Sequence, residues 1–158
     1  MVRVSLCTSF SLLFFVGCGS STGAPVDADS FTTCEDEKQV MPYEPGMSVM
    51  TTAGVFTVKL LNSTPGPAVK GDNVWVIEVD DAASANALDG LDIDVVPFMP
   101  THQHGSREVV VTPDGSGTYT LKPVYLYMSG VWEVRISIRD TVNGVSRVDA
   151  AIMLVCIP

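Results

Sequence analysis

A chain of 158 residues with nine Lys and Arg against 18 Asp and Glu carries a formal charge of −9 and has a pI near 4.4. That length suits one domain built on one core. The negative balance disfavours phosphate backbones and anionic lipid headgroups, so nucleic acid is not an expected partner.

Met1-Val2-Arg3 opens the chain with a positive charge, Val4 to Val16 is nearly all apolar or small, and Gly17-Cys18-Gly19-Ser20-Ser21 follows with small residues. This is the layout of a secretory leader, residues 1–17. Its apolar run is shorter than the roughly 20 residues that a bilayer-spanning helix needs, and no later segment is longer and as apolar. The four residues Phe15-Val16-Gly17-Cys18 resemble a bacterial lipobox. That resemblance implies cleavage before Cys18, lipidation of Cys18 and attachment to the membrane through the lipid alone. Gly19 in second place resembles the sorting pattern for the outer membrane, facing the periplasm. Residues 18–29 have the small, polar, Pro-containing composition of a flexible tether. Residues 30–50, with the acidic Glu35-Asp36-Glu37 and with Pro42 and Pro45, are expected to lie irregularly over the domain.

From residue 51 to 158 the apolar period is two. Phe56, Val58 and Leu60 mark a first strand, Trp75, Ile77 and Val79 a second, and Leu91, Ile93 and Val95 a third. Val109 and Val111 mark a fourth, and Tyr119 and Leu121 a fifth. Trp132, Val134, Ile136 and Ile138 mark a sixth, and Val148, Ala150, Ile152, Leu154 and Cys156 a seventh. Such alternation describes strands with one face on a core. Gly-, Pro- and Asp-Gly-containing turns fall between them, and Asp81 to Leu88 reads as a connecting loop. The expected fold is all-β, an immunoglobulin-like β-sandwich of about seven strands with Trp75 and Trp132 as core anchors.

Of four cysteines, Cys7 leaves with the leader and Cys18 carries lipid, so Cys34 and Cys156 remain as a pair. In an oxidising compartment a disulfide is the simplest expectation; two free thiols serving as metal ligands are the alternative.

Both histidines of the chain lie in Phe98-Met99-Pro100-Thr101-His102-Gln103-His104-Gly105. If each connection of the sandwich reverses the chain, this third-to-fourth connection shares an end with the fifth-to-sixth, Leu126-Tyr127-Met128-Ser129-Gly130. Met99, His102, His104 and Met128 can then converge, with Cys156 and Cys34 nearby. Imidazole combined with thioether selects soft or borderline ions, copper ahead of magnesium or calcium. The alternative reading is structural, with the imidazoles satisfying loop carbonyls and the methionines filling the open end. Met41, Met47 and Met50 read as packing residues. The chain has no nucleophile elbow, phosphate-binding glycine loop or zinc-protease motif, so it is not expected to be an enzyme. A binding or assembly role with a partner protein of the envelope is the non-metal alternative.

The blocks Gly71-Asp72-Asn73-Val74-Trp75, Val95 to Gly105, Gly117-Thr118-Tyr119 and Met128-Ser129-Gly130-Val131-Trp132-Glu133-Val134 resemble the YtkA-like domain family, relatives of the FixH proteins. The resemblance runs from about residue 50 to 156 and is most specific in the MP-x-H-x-H-G and M-x-G-x-W-E blocks. It implies an extracytoplasmic immunoglobulin-like sandwich, often on lipoproteins, some relatives of which occur in copper and cytochrome oxidase contexts. Carried over by position, Met99, His102, His104 and Met128 are the motif residues able to coordinate a metal.

Overall fold

The computed structural model describes Cys34, residues 40–141 and residues 146–158. The leader, Cys18, the tether, the acidic Glu35-Asp36-Glu37 and the Asn143-Gly144 turn lie outside the described residues. Nine strands follow in order: β1 (Met47–Met50), β2 (Phe56–Thr64), β3 (Gly71–Asp81), β4 (Asp92–Met99), β5 (His104–Gly105), β6 (Val110–Gly115), β7 (Thr118–Leu126), β8 (Gly130–Asp140) and β9 (Arg147–Ile157). No helix occurs among the described residues.

The strands form two antiparallel sheets, β1-β2-β3-β7-β6 and β5-β4-β8-β9, packed face to face. The alternation places apolar rows inward as their period requires. Phe56, Val58, Leu60, Trp75, Ile77 and Val79 from one sheet meet Trp132, Val134, Ile136 and Ile138 from the other, all fully buried. Asp92 and Asp94 form the solvated face of β4. Trp75 Nε1 is buried without a hydrogen-bond partner among the described residues, so Trp75 contributes through apolar burial.

Two of the nine strands exceed the sequence expectation of about seven. β5 has only two residues, too few for a period to be legible. β1 lies in the segment expected to be irregular; Met47 to Met50 pair with Leu60 to Thr57 of β2. Met47 packs on the core, but Met50 is 65% exposed and is not a packing residue. The phase of β9 also differs from the row read in the sequence. Asp149, Ala151, Met153, Val155 and Ile157 face inward, whereas Val148 and Ile152 are exposed. Both rows of β9 are largely apolar, so alternation alone does not select one; the pairing of Met153 with Val134 and Ala151 with Ile136 does.

β9 is a long edge strand, which would invite pairing with other chains if left bare. The preceding segment covers part of it: Met41 N–H donates to Leu154 O at 3.2 Å and Thr52 N–H to Ala150 O at 2.8 Å. The expected disulfide joins Cys34 to Cys156 with Cα atoms 5.6 Å apart. It pins the N-terminal segment to β9 across 122 residues.

The connecting loop 81–91 is anchored by Tyr119, whose hydroxyl donates to Leu88 O at 2.7 Å and accepts from Leu91 N–H at 3.2 Å. Gly117 sits beneath this loop at φ 74°, where a Cβ would come within 2.6 Å of Ala87 Cβ.

A bulge in β7 sets the geometry of one end. Asn73 of β3 pairs with Val124 while Trp75 pairs with Leu121, so Lys122-Pro123 adds one residue to β7 and reverses its phase. Tyr119 and Leu121 point inward before the bulge, and Val124 and Leu126 after it. Asn73, fully buried, ties the bulge down: its Nδ2 donates to Val69 O, Gly71 O and Val124 O, and its Oδ1 accepts from Val69 N–H.

At the opposite end, Arg147 of β9 pairs with Asp81 and Asp140, and Lys59 pairs with Glu78 and Asp80. The Arg147 guanidinium, with hydrogen bonds from Ser84, holds the Asp81 carboxyl down at about 2. Burial pushes Asp149 up, but hydrogen bonds from Thr51 and the backbone N–H groups of Ala53, Ala150 and Val55 outweigh it and lower the carboxyl to about 2.

Candidate functional site

β4 ends at Met99, and Pro100–Gln103 turns the chain back, with Gln103 N–H donating to Pro100 O at 3.3 Å and Gln103 at φ 52°. The returning β5 pairs His104 with Met99 and Gly105 with Phe98. Directly opposed residues of an antiparallel pair share a face, so His104 stands on the core side beside Met99. His102, at the tip of the turn, is exposed, and His104 is half-buried. Ser106 then crosses to the other sheet: its N–H donates to Pro97 O and its hydroxyl to Tyr125 O at 2.5 Å.

That crossing brings the β4–β6 connection against the end of β7. Because of the bulge, Tyr125 and Tyr127 lie off the inward row, and they meet the histidines in one row of rings. His102 stacks on His104 with centroids 5.7 Å apart, His104 on Tyr127 at 5.4 Å, and Tyr127 on Tyr125 at 5.6 Å. The Arg107 guanidinium closes the row 3.7 Å over the Tyr125 ring and reaches toward Asp72 at 3.6 Å. Trp132, fully buried, flanks the row edge-on to Tyr127 at 5.4 Å and tilted to His104 at 6.2 Å.

The hydroxyl of Tyr127 lies 2.8 Å from Nδ1 of His104, within hydrogen-bond distance, and 3.2 Å from Nε2. Trp132 Nε1–H donates to Met128 O at 2.9 Å, which fixes the β7–β8 connection over the same end. Gly130 follows at φ 120°, and a Cβ there would meet Met99 Cε at 2.7 Å. The end of β9 arrives beside it, Ile157 opposite Gly130 and Cys156 opposite Val131.

The two connections expected to converge do so. His102 and His104 are adjacent rings of one row, and Met99 is 2% exposed with its methyl against Gly130. The Met128 side chain packs on the hydrophobic core while its carbonyl serves Trp132. The residue of that connection that touches His104 is Tyr127. Tyr125, Tyr127, Arg107 and Trp132 also stand at this end, and none of them is among the expected site residues. Tyr127 was legible only as a neighbour of Met128, because its direction depends on the bulge at Lys122-Pro123.

Among the described residues, no three His, Cys, Asp or Glu side chains converge as a group able to hold a metal ion. No helix of the described residues is long and apolar enough to cross a membrane.

Compared with known protein families, the chain matches the YtkA-like family over residues 50–137, more than half of its length. The match runs from the end of β1 into β8 and stops short of β9, so it is shorter than the span to residue 156 over which the blocks suggested resemblance. No curated protein and no solved structure matches the chain.

Proposed function

This chain belongs to the YtkA-like family, and from that premise we propose that it is a non-catalytic, lipid-anchored module of the bacterial cell envelope that binds copper for buffering or delivery. The observation that carries the proposal is the pair of imidazoles, His102 and His104, stacked 5.7 Å apart at one end of the sandwich. Met99 on the same face as His104 and Met128 in the facing connection are the thioethers at this end, and each would have to leave its packing on the core to reach an ion. Imidazole with thioether suits copper, and the net charge of −9 favours approach of a cation. Bound copper would supply a redox-active, electron-accepting centre; the residues named here hold and orient it.

The remaining parts of the reading rest on separate supports. The leader-like start and the lipobox-like Phe15 to Cys18 support lipidation at Cys18 and an outer-membrane location facing the periplasm. The Cys34–Cys156 disulfide fits an oxidising compartment. The order β2-β3-β7-β6 over β4-β8-β9 supports an immunoglobulin-like sandwich. Titration of the full chain with Cu(II), and with Cu(I) under a reducing chelator, tests the metal reading by calorimetry. Binding tighter than micromolar that is lost in His102→Ala/His104→Ala is expected; weak binding, or binding unchanged in that variant, sinks it.

A second reading is favoured by one feature. The outer face of the β5-β4-β8-β9 sheet exposes Val96, Val148 and Ile152, apolar residues suited to contact with another envelope protein. In that reading Tyr127 satisfies His104 and the histidines only shape the loop. Loss of thermal stability on replacing His104, the same with and without metal, and capture of one stoichiometric envelope partner that Ile152→Asp abolishes, would establish it.

A further inference from the structure

We propose that the loop from Pro65 to Lys70 is a membrane-contacting surface, lying on the bilayer that holds the Cys18 lipid, so that the histidine end of the sandwich faces the membrane. The inference rests on the lipid-anchored reading above and adds to it a contact and an orientation. Two independent features carry it, the point at which the N-terminal segment is fastened and the chemistry of the loop beside that point.

Cys34 is bonded to Cys156, which stands opposite Val131, and the Cys34 sulfur lies 3.8 Å from Ile157 O. From there the segment runs along β9 toward the other end, with Met41 N–H on Leu154 O and Thr52 N–H on Ala150 O. The chain is therefore fastened at the histidine end, and Cys18 is 16 positions before the fastening. A Gly- and Ser-rich coil of that length reaches about 20–24 Å on average. β8 and β9, with 11 residues each, run about 36 Å. Turning the opposite end to the bilayer would draw the tether along the whole sandwich, well beyond that average reach. The histidine end is the one left facing the lipid.

Pro67 and Ala68 line one apolar cleft with Met41, Tyr43, Val155 and Cys156, so the loop adjoins the fastening point. Pro65, Pro67 and Val69 are exposed, and from Leu61 to Gly71 the only charged side chain is Lys70. The loop is also rigidly presented. Buried Asn73 takes both backbone groups of Val69, accepting from its N–H and donating to its O, each at 2.8 Å. The Ser63 hydroxyl donates to Pro65 O at 2.6 Å. The Val69 side chain, 41% exposed, is thereby held out to water instead of turning inward. Exposed apolar groups with a cation beside them suit the bilayer interface, where the apolar surface is buried and the ammonium meets phosphate. An anchored domain needs little affinity of its own, because a short tether holds it at a millimolar effective concentration. The longest connection of the opposite end, residues 82–91, offers no match: Ala83 to Ala87 are small or polar, and Asp81, Asp89 and Asp92 surround them.

The full chain, isolated from bacterial membranes and placed in nanodiscs of phosphatidylethanolamine and phosphatidylglycerol, tests this. Its mass first shows whether Cys18 carries lipid. A gadolinium chelate on a fraction of the lipid headgroups should then erase the amide NMR signals of Gly66, Ala68, Val69 and Lys70 and of residues 101–105, and leave those of residues 83–87. Val69→Asp should recover much of the lost intensity while the rest of its spectrum stays that of the parent; if the variant does not fold, the parent pattern decides. Equal loss at both ends, signals retained at the loop, or an unchanged pattern in folded Val69→Asp overturns the loop contact and leaves the lipid anchor standing. A chain without lipid on Cys18 overturns both.

Discussion

Tyr127 and His104 approach from different sheets and meet at 2.8 Å between phenol oxygen and Nδ1. The contact joins the β4–β6 connection to the β7–β8 connection, so it ties the two sheets together at this end. Tyr127→Phe removes a half-buried hydrogen bond while keeping its three ring contacts, to His104, Tyr125 and Trp132. The expected loss is about 0.5–1.5 kcal/mol of unfolding free energy, read as a fall in urea midpoint at unchanged slope.

Gly130 and Met99 make a second prediction at the same end. A Cβ at residue 130 would sit 2.7 Å from Met99 Cε, on a backbone at φ 120° that side chains rarely adopt. Gly130→Ala should cost about 1–3 kcal/mol from overpacking alone, with backbone strain in addition. In Gly130→Ala/Met99→Ala the collision is gone but the strain persists. The double variant should therefore lose less than the sum of the two single variants, measured as a double-mutant cycle by chemical denaturation.

The disulfide between Cys34 and Cys156 restrains the unfolded chain across 122 residues. Cys34→Ser/Cys156→Ser is expected to lose roughly 2–5 kcal/mol. Reductant should lower the denaturation midpoint of the parent chain to that of the variant and leave the variant unaffected.

Acid should unfold the end remote from the histidines first. Asp81 and Asp149 both sit at about 2 in the folded chain, below the ordinary carboxylate value near 3.8. A carboxyl with a lowered folded pKa binds fewer protons folded than unfolded. Its stabilisation is therefore full above about pH 4 and is lost as pH falls toward about 2. Urea midpoints taken from pH 6 to pH 2 should drop in that window, and Asp149→Asn should flatten the drop.

Asn73 lies far from either histidine in sequence yet governs the direction of Tyr127. It is fully buried and holds the β7 bulge through Val124 O. Asn73→Ala should cost about 1–3 kcal/mol for the backbone groups left without partners. It should also shift the His104 ring resonances in NMR, because the bulge sets the phase on which Tyr127 depends. A variant destabilised with unmoved His104 resonances would separate the bulge from the site.

Much of the fold was legible because its physics is local. Trp75, Ile77 and Val79, or Trp132, Val134 and Ile136, alternate with more polar neighbours, and only an extended strand with one face buried accommodates that pattern. β9 was legible as a strand but not in its phase, since Val148 and Ile152 are as apolar as Met153 and Val155. Chain reversal at each turn was enough to bring the His102–His104 connection beside the Met128 connection. It was not enough to choose between Tyr127 and Met128 as the residue touching His104.

That choice marks the boundary between the two levels. By itself the sequence determined the sandwich, its core rows other than that of β9, the cysteine pair and the end at which the histidines stand, because hydrophobic periodicity and turn chemistry act over a few residues. Only the tertiary structure decided which side chains face the imidazoles. One extra residue at Lys122-Pro123, held by buried Asn73 of the neighbouring strand, reverses the phase of β7. The bulge turns Tyr125 and Tyr127 off the inward row and into the row of His102 and His104. A bulge is a relation between two strands, and no pattern within one strand encodes it.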